Sequence, residues 1–105
     1  MNIEKHKIDD TITIKVDGSL DTSTSPMLAS EMVELDGIKK VVLDFSSLDY
    51  ISSSGLRILL SVQKRMNKTK GELIVKNIGQ TVEDIFEITG FTDILNIQWI
   101  YKKSA

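Results

Sequence analysis

The first twenty residues show two different spacings of apolar side chains. Residues 2–9, NIEKHKID, are polar apart from Ile3 and Ile8, whereas residues 11–16, TITIKV, alternate Ile12, Ile14 and Val16 with polar positions. Such alternation predicts a strand with one buried face. Asp9 and Asp10 between the runs predict a turn, and hence an antiparallel hairpin whose lysine-bearing first strand guards an exposed sheet edge. Beyond a polar stretch, Ser25 is placed to cap a helix with Pro26 at its first position. Leu28, Met32 and Leu35 then share a face before Asp36-Gly37 stops the helix.

The run KKVVLDF is of another kind. Val41, Val42 and Leu43 follow one another without alternation, which predicts a strand covered on both faces at the centre of the sheet. Leu56, Leu59, Leu60, Val62 and Met66 next give a broad apolar helical face, with Lys64, Arg65 and Lys68 near the end favoured by the helix dipole. Gly71 releases a further strand, ELIVKN. A third helix follows, with Thr81 as its cap, Val82, Ile85, Phe86 and Thr89 on one face, and Gly90 at its end. The stretch ILNIQWIYKK reads as a final short extended segment, with Trp99 either packed on the sheet or marking a contact. Strands alternating with helices imply parallel pairing through right-handed crossovers. The predicted fold class is therefore α/β: a mixed sheet of four to five strands with an N-terminal hairpin, parallel central strands and helices packed against them.

Composition narrows the function. The 105 residues are 41% hydrophobic, which suits one compact core and a single domain over 1–105. Thirteen basic and fifteen acidic residues give a net charge of -2, with the cations scattered, so no nucleic-acid partner is expected. Without cysteine there is neither a disulfide framework nor a thiolate metal site. No apolar run approaches the ~18 residues that span a bilayer, and the first ten residues are too charged for a signal peptide. A cytoplasmic protein without membrane insertion is the expectation.

The candidate chemistry lies in YISSSGLRILL, residues 50–60. Ser52, Ser53 and Ser54 fall where the central strand hands over to the most apolar helix. Backbone N–H groups in the first turn lack intrahelical partners and carry partial positive charge, so an oxyanion on a side chain there is stabilised. One reading is a serine-rich cap with Gly55 for packing; another is a phosphorylated serine meeting the same amides, with Gly55 leaving room for a close approach. Catalysis is not expected. A nucleophile elbow needs G-x-S-x-G and a histidine base, but Ile51 stands two before Ser53 and the single histidine, His6, falls in the edge strand. No cofactor or metal is predicted. Glu83, Asp84 and Glu87 read as the solvated side of the third helix.

The stretch VVLDFSSLDYISSSGLRILLSVQKR, preceded by VDGSLDTSTSP and followed by GELIVKNIGQTVEDIFEITGFTDIL, resembles a STAS domain of the anti-sigma factor antagonist type over nearly the whole chain. The resemblance implies the STAS fold. It also implies that the phosphoacceptor is the serine two before the glycine of D-S-x-G-L, which is Ser53, with Gly55 and Leu56 in register. Ser52 stands where many relatives have Asp, and Ser52 and Ser54 compete with Ser53 for the role. The implied partner surface comprises Asp21, Thr22, Ser23 and Thr24 together with Ser52, Ser53, Ser54, Gly55 and Arg57; taken alone, Asp21 reads as an Asx-type turn cap. Asp44 is a further contact candidate, and Asp49 reads as loop polarity.

The resemblance implies a partner switch. The unmodified protein would bind an anti-sigma serine kinase of the histidine-kinase-like ATPase class and release a sigma factor. Phosphorylation of Ser53 would end binding and a PP2C-type phosphatase would restore it. The competing reading is a STAS module without a switch, docking in a transport or signalling assembly. Relatives commonly carry another helix after the segment matching LNIQW, so the short tail here leaves a face open to weak homodimerisation.

Overall fold

The two opening runs form the expected hairpin. In the computed structural model, which describes residues 1–98, β1 (Asn2–Ile8) pairs antiparallel with β2 (Thr11–Leu20) around a turn at Asp9 and Asp10. Asp9 takes φ 55°, a left-handed conformation that Asp tolerates better than most residues. Chain order continues through α1 (Ser25–Glu31), β3 (Lys40–Ile51), α2 (Ser53–Lys68), β4 (Glu72–Lys76), α3 (Gln80–Thr89), a short 3-10 turn (Phe91–Asp93) and β5 (Asn96–Gln98). Trp99 and the rest of the tail lie outside the described residues.

The five strands lie in the order β1-β2-β3-β4-β5, with every pairing after the first parallel. Each crossover advances the same way across the sheet, so right-handed connections lodge all three helices on one face. The core has the composition this demands. Ile12, Ile14 and Val16 of β2, Val41, Leu43 and Phe45 of β3, and Leu73 and Val75 of β4 join Leu28, Leu59, Val62, Met66, Val82 and Phe86 of the helices in one buried cluster.

β3 is the central strand, as expected, but among the described residues helices cover only one of its faces. The opposite face carries Thr13, Val42, Asp44, Ile74 and Lys76 across adjacent strands, and Val42 and Asp44 are only half-buried. β2 and β3 also outrun their sequence signals. β2 continues through Asp17-Gly18-Ser19-Leu20 past irregular pairing with β3, Gly18 adopting φ 109°. Ser46 to Ile51 likewise stay in β3, so Asp49 is an exposed strand residue, not part of a loop.

Three helix boundaries differ from expectation. Thr24, not Ser25, is the cap of α1; Ser25 is already helical and only 2% exposed. α1 ends at Glu31, short of Asp36-Gly37, and the Arg65 guanidinium of α2 donates to the carbonyls of Met32 (2.6 Å) and Val33 (2.9 Å) just beyond its last turn. α3 is capped at Gly79, with Thr81 inside the helix, while Gly90 terminates it at φ 81° as its position predicted.

Candidate phosphoacceptor site at the amino end of α2

Parallel pairing creates the site. β2 and β3 end in register, Leu20 beside Ile51, so the segments leaving them emerge together at the carboxyl edge of the sheet. The Ser52 N–H donates to the Leu20 carbonyl at 2.7 Å, which extends the pairing one step and fixes where α2 begins. Asp21–Thr24 and Ser52–Ser54, thirty residues apart in sequence, thereby become neighbours. The Thr22 and Ser54 hydroxyls lie 3.3 Å apart and join the two segments.

The three serines have separate environments. Ser52 is the N-cap residue: its backbone is extended (φ -91°, ψ 176°), its carbonyl accepts the first helical bond from Leu56 N–H at 2.9 Å, and its hydroxyl accepts from Gly55 N–H at a long 3.5 Å. Ser54 is half-buried against Thr22. Ser53, in the first helical position, is exposed, and its hydroxyl has no hydrogen-bond partner among the described residues. Arg57, one turn along, is exposed as well. The arrangement offers an accessible hydroxyl at the positive end of a sixteen-residue helix.

Gly55 answers to a tight fit inside the protein. A Cβ there would lie 2.7 Å from Ile51 Cγ1 and 3.1 Å from Leu20 Cβ. The close approach expected of this glycine is made by the ends of β2 and β3, which lets the first turn of α2 seat directly on them. The packing role anticipated for Gly55 is therefore the one its neighbours require.

The Asp21 loop is internally bonded. Asp21 Oδ1 accepts from Ser23 N–H (2.9 Å), Ser23 hydroxyl (2.7 Å) and Thr24 N–H (3.0 Å). Thr24 Oγ1 accepts from Asp21 N–H at 2.9 Å and donates to the Ser19 carbonyl at 2.7 Å. The Ser23 hydroxyl first, and the Thr24 N–H next, hold the Asp21 carboxyl below the usual carboxylate range. Asp21 is thus the organiser of an Asx-type turn set against the serines, with its second oxygen outside these bonds.

Asp44 is placed elsewhere. It sits on the sheet face away from the helices and near the start of β3, accepting from Ser46 N–H and Asn77 Nδ2, both at 3.0 Å. Burial pushes its carboxyl up, but the bonds from Ser46 and Asn77 and the charge of Lys76 outweigh it and leave the carboxyl below its ordinary value. The two carbonyls that shape the site, Leu20 O and Ser19 O, had no signal in the sequence because their partners depend on strand register.

Comparison with known proteins gives a consistent result. The STAS domain family model matches residues 2–105. BtrV of Bordetella bronchiseptica, a candidate anti-sigma factor antagonist, is 35% identical over 99 residues, covering 92% of this chain and 85% of BtrV. The anti-sigma-B factor antagonist of Staphylococcus aureus is 28% identical over 99 residues, covering 92% of each chain. Among solved structures, the anti-sigma factor antagonist SpoIIAA in its unphosphorylated form superposes with a TM-score of 0.83 at 17% identity, covering 96% of this chain and 90% of that one. The phosphorylated form of the Bacillus cell fate determinant SpoIIAA gives 0.73 at 17% identity, covering 96% and 93%. At these identities the two structures establish a shared fold.

Proposed function

Since this chain belongs to the STAS domain family, among the anti-sigma factor antagonists, we propose that it is a partner-switching antagonist controlled by phosphorylation of Ser53. Unmodified, it binds an anti-sigma serine kinase of the histidine-kinase-like ATPase class and frees a sigma factor. Phosphorylation by that partner ends the complex, and a PP2C-type phosphatase restores it. The observation that carries the assignment is the division of labour among the serines. Ser52 caps α2 and Ser54 meets Thr22, which leaves Ser53 as the exposed hydroxyl without a partner among the described residues.

The surroundings suit the chemistry. A phosphate on Ser53 adds ~1.5 to 2 negative charges and three acceptor oxygens. First-turn amides and the dipole of α2 stabilise that charge within the fold, and Arg57 at i+4 supplies a nearby cation. A partner packed closely on this rim meets the same charge as desolvation and repulsion. Only ~1.4 kcal/mol is needed for each tenfold loss of affinity. The Asp21–Thr24 loop, bonded internally and linked to Ser54, forms the adjoining part of the contact surface.

Titration calorimetry against the cognate anti-sigma kinase tests the reading. Ser53→Ala retains affinity for the kinase, whereas Ser53→Glu and the phosphorylated protein lose at least about tenfold. Equal affinity of all forms contradicts it.

A further inference from the structure

The outward faces of α2 and α3 are complementary to each other. On α2, Arg57, Ser61, Lys64 and Lys68 recur along the exposed side and line, with Leu60 and Arg65, a shallow depression of about 500 Å³. Arg65 is committed to the carbonyls of Met32 and Val33. Arg57, Lys64 and Lys68 have no carboxylate partner, since the ion pair found among the described residues is Lys40–Glu72. On α3, Asp84, Glu87 and Ile88 project outward, and Ile88 is 86% exposed, more than any other large hydrophobic side chain described. Asp84 accepts one bond from Gln80 Nε2 at 2.8 Å. Ile94, 46% exposed, and Asp93 extend the same mixture past the end of α3.

We propose that this helical face is the interface of a twofold dimer of the chain, in which Ile88, flanked by Asp84 and Glu87, enters the Arg57–Lys68 depression of a second copy. The topology makes closure possible. α2 joins β3 to β4 and α3 joins β4 to β5, so crossovers of one hand place both helices on the same face of the sheet. A twofold axis lying between them and along them lays α2 of each copy on α3 of the other, and the contact is made twice. The axis at right angles within the same plane brings α2 onto α2, cation against cation. Charge therefore selects the first arrangement. An apolar knob with an acidic surround meeting an apolar floor with a basic rim also answers why Ile88 is left uncovered in the isolated chain. This inference stands apart from the phosphorylation reading and uses residues outside the serine rim except for Arg57.

Sedimentation of the full chain across the micromolar to millimolar range tests it. The wild type forms a reversible dimer that weakens as sodium chloride is raised. Lys64→Glu/Lys68→Glu and Asp84→Lys/Glu87→Lys, each checked for native circular dichroism, associate at least about tenfold more weakly. An equimolar mixture of the two variants restores the dimer, because reversed faces oppose each other and native faces do the same. Lys7→Glu on β1 leaves association unchanged. A wild type that stays monomeric overturns the proposal and leaves the basic face to an acidic segment of another protein or an anionic membrane. A dimer insensitive to both reversals, or variants that fail to pair on mixing, overturns it as well.

Discussion

Replacing Gly55 by alanine adds one methyl group where the end of the sheet meets the start of α2. The new Cβ would stand 2.7 Å from Ile51 Cγ1, 3.2 Å from Ile51 Cδ1 and 3.1 Å from Leu20 Cβ. Ile51 is 1% exposed and Leu20 is fully buried, so neither has solvent to move into. Overpacking of this kind costs ~1–3 kcal/mol. Against it stands the gain from alanine in a helix, up to ~1 kcal/mol and smaller in a first turn than in the interior. The net expectation is a loss of about 0.5–2 kcal/mol. Urea denaturation should show a lower midpoint at unchanged m-value. The Ile51→Ala background gives a sharper test, since it removes both Ile51 atoms that clash with the methyl. There Gly55→Ala should become neutral or stabilising, a change of sign that intrinsic helix propensity alone cannot produce. A neutral or stabilising effect in the wild-type background refutes the packing argument for Gly55.

Other consequences can be checked separately. Ser52→Asp places a carboxylate at the N-cap of α2 in place of a hydroxyl whose bond to Gly55 N–H is 3.5 Å long, and should stabilise the protein by ~0.3–1 kcal/mol in low salt, read from urea midpoints. Arg65→Met removes the donors to Met32 and Val33 at an exposed site; a loss of about 1 kcal/mol and faster hydrogen exchange in α1 are expected, and Arg65→Lys, lacking the two-pronged fork, recovers only part. The folded-state carboxyl of Asp44 lies below its ordinary 3.8, so its contribution is present above that pH and disappears as pH falls through the lower folded value. Asp44→Asn should therefore flatten the acid limb of the stability profile, and an unchanged limb contradicts the assignment.

Much of the architecture was legible because it is written in local periodicity. The alternation of Ile12, Ile14 and Val16, the unbroken Val41-Val42-Leu43, and the helical stripe from Leu56 to Met66 each reflect burial against the sheet or within it. The parallel order followed from their alternation along the chain. What escaped was set by contacts distant in sequence. The alternation stops at Val16, yet β2 continues through Asp17 and Gly18 because β3 offers pairing as far as Ile51. Asp36-Gly37 looks like a helix stop, yet Arg65, more than thirty residues away, engages the carbonyls that follow Glu31. Val42 reads as doubly buried in a hydrophobic run, although crossovers of one hand leave its face without helices among the described residues. At the site, the serines and Gly55 were visible as a strand-to-helix junction. Their inequality was not, since it arises from Leu20 O, Thr22 and the cap geometry, which strand register supplies.

The central claim is that Ser53, alone of the three serines, carries the regulatory phosphate. It is tested most directly by isolating the protein from its native host with phosphatases inhibited and mapping phosphate by fragmentation mass spectrometry on the peptide containing Ser52, Ser53 and Ser54. A Ser53→Ala strain is mapped in parallel, across growth, starvation and stress. Phosphate on Ser53, at an occupancy that changes with condition, and an unmodified peptide in the variant are the expected result. Phosphate on Ser52 or Ser54 with Ser53 bare, or a peptide unmodified under every condition, would contradict it.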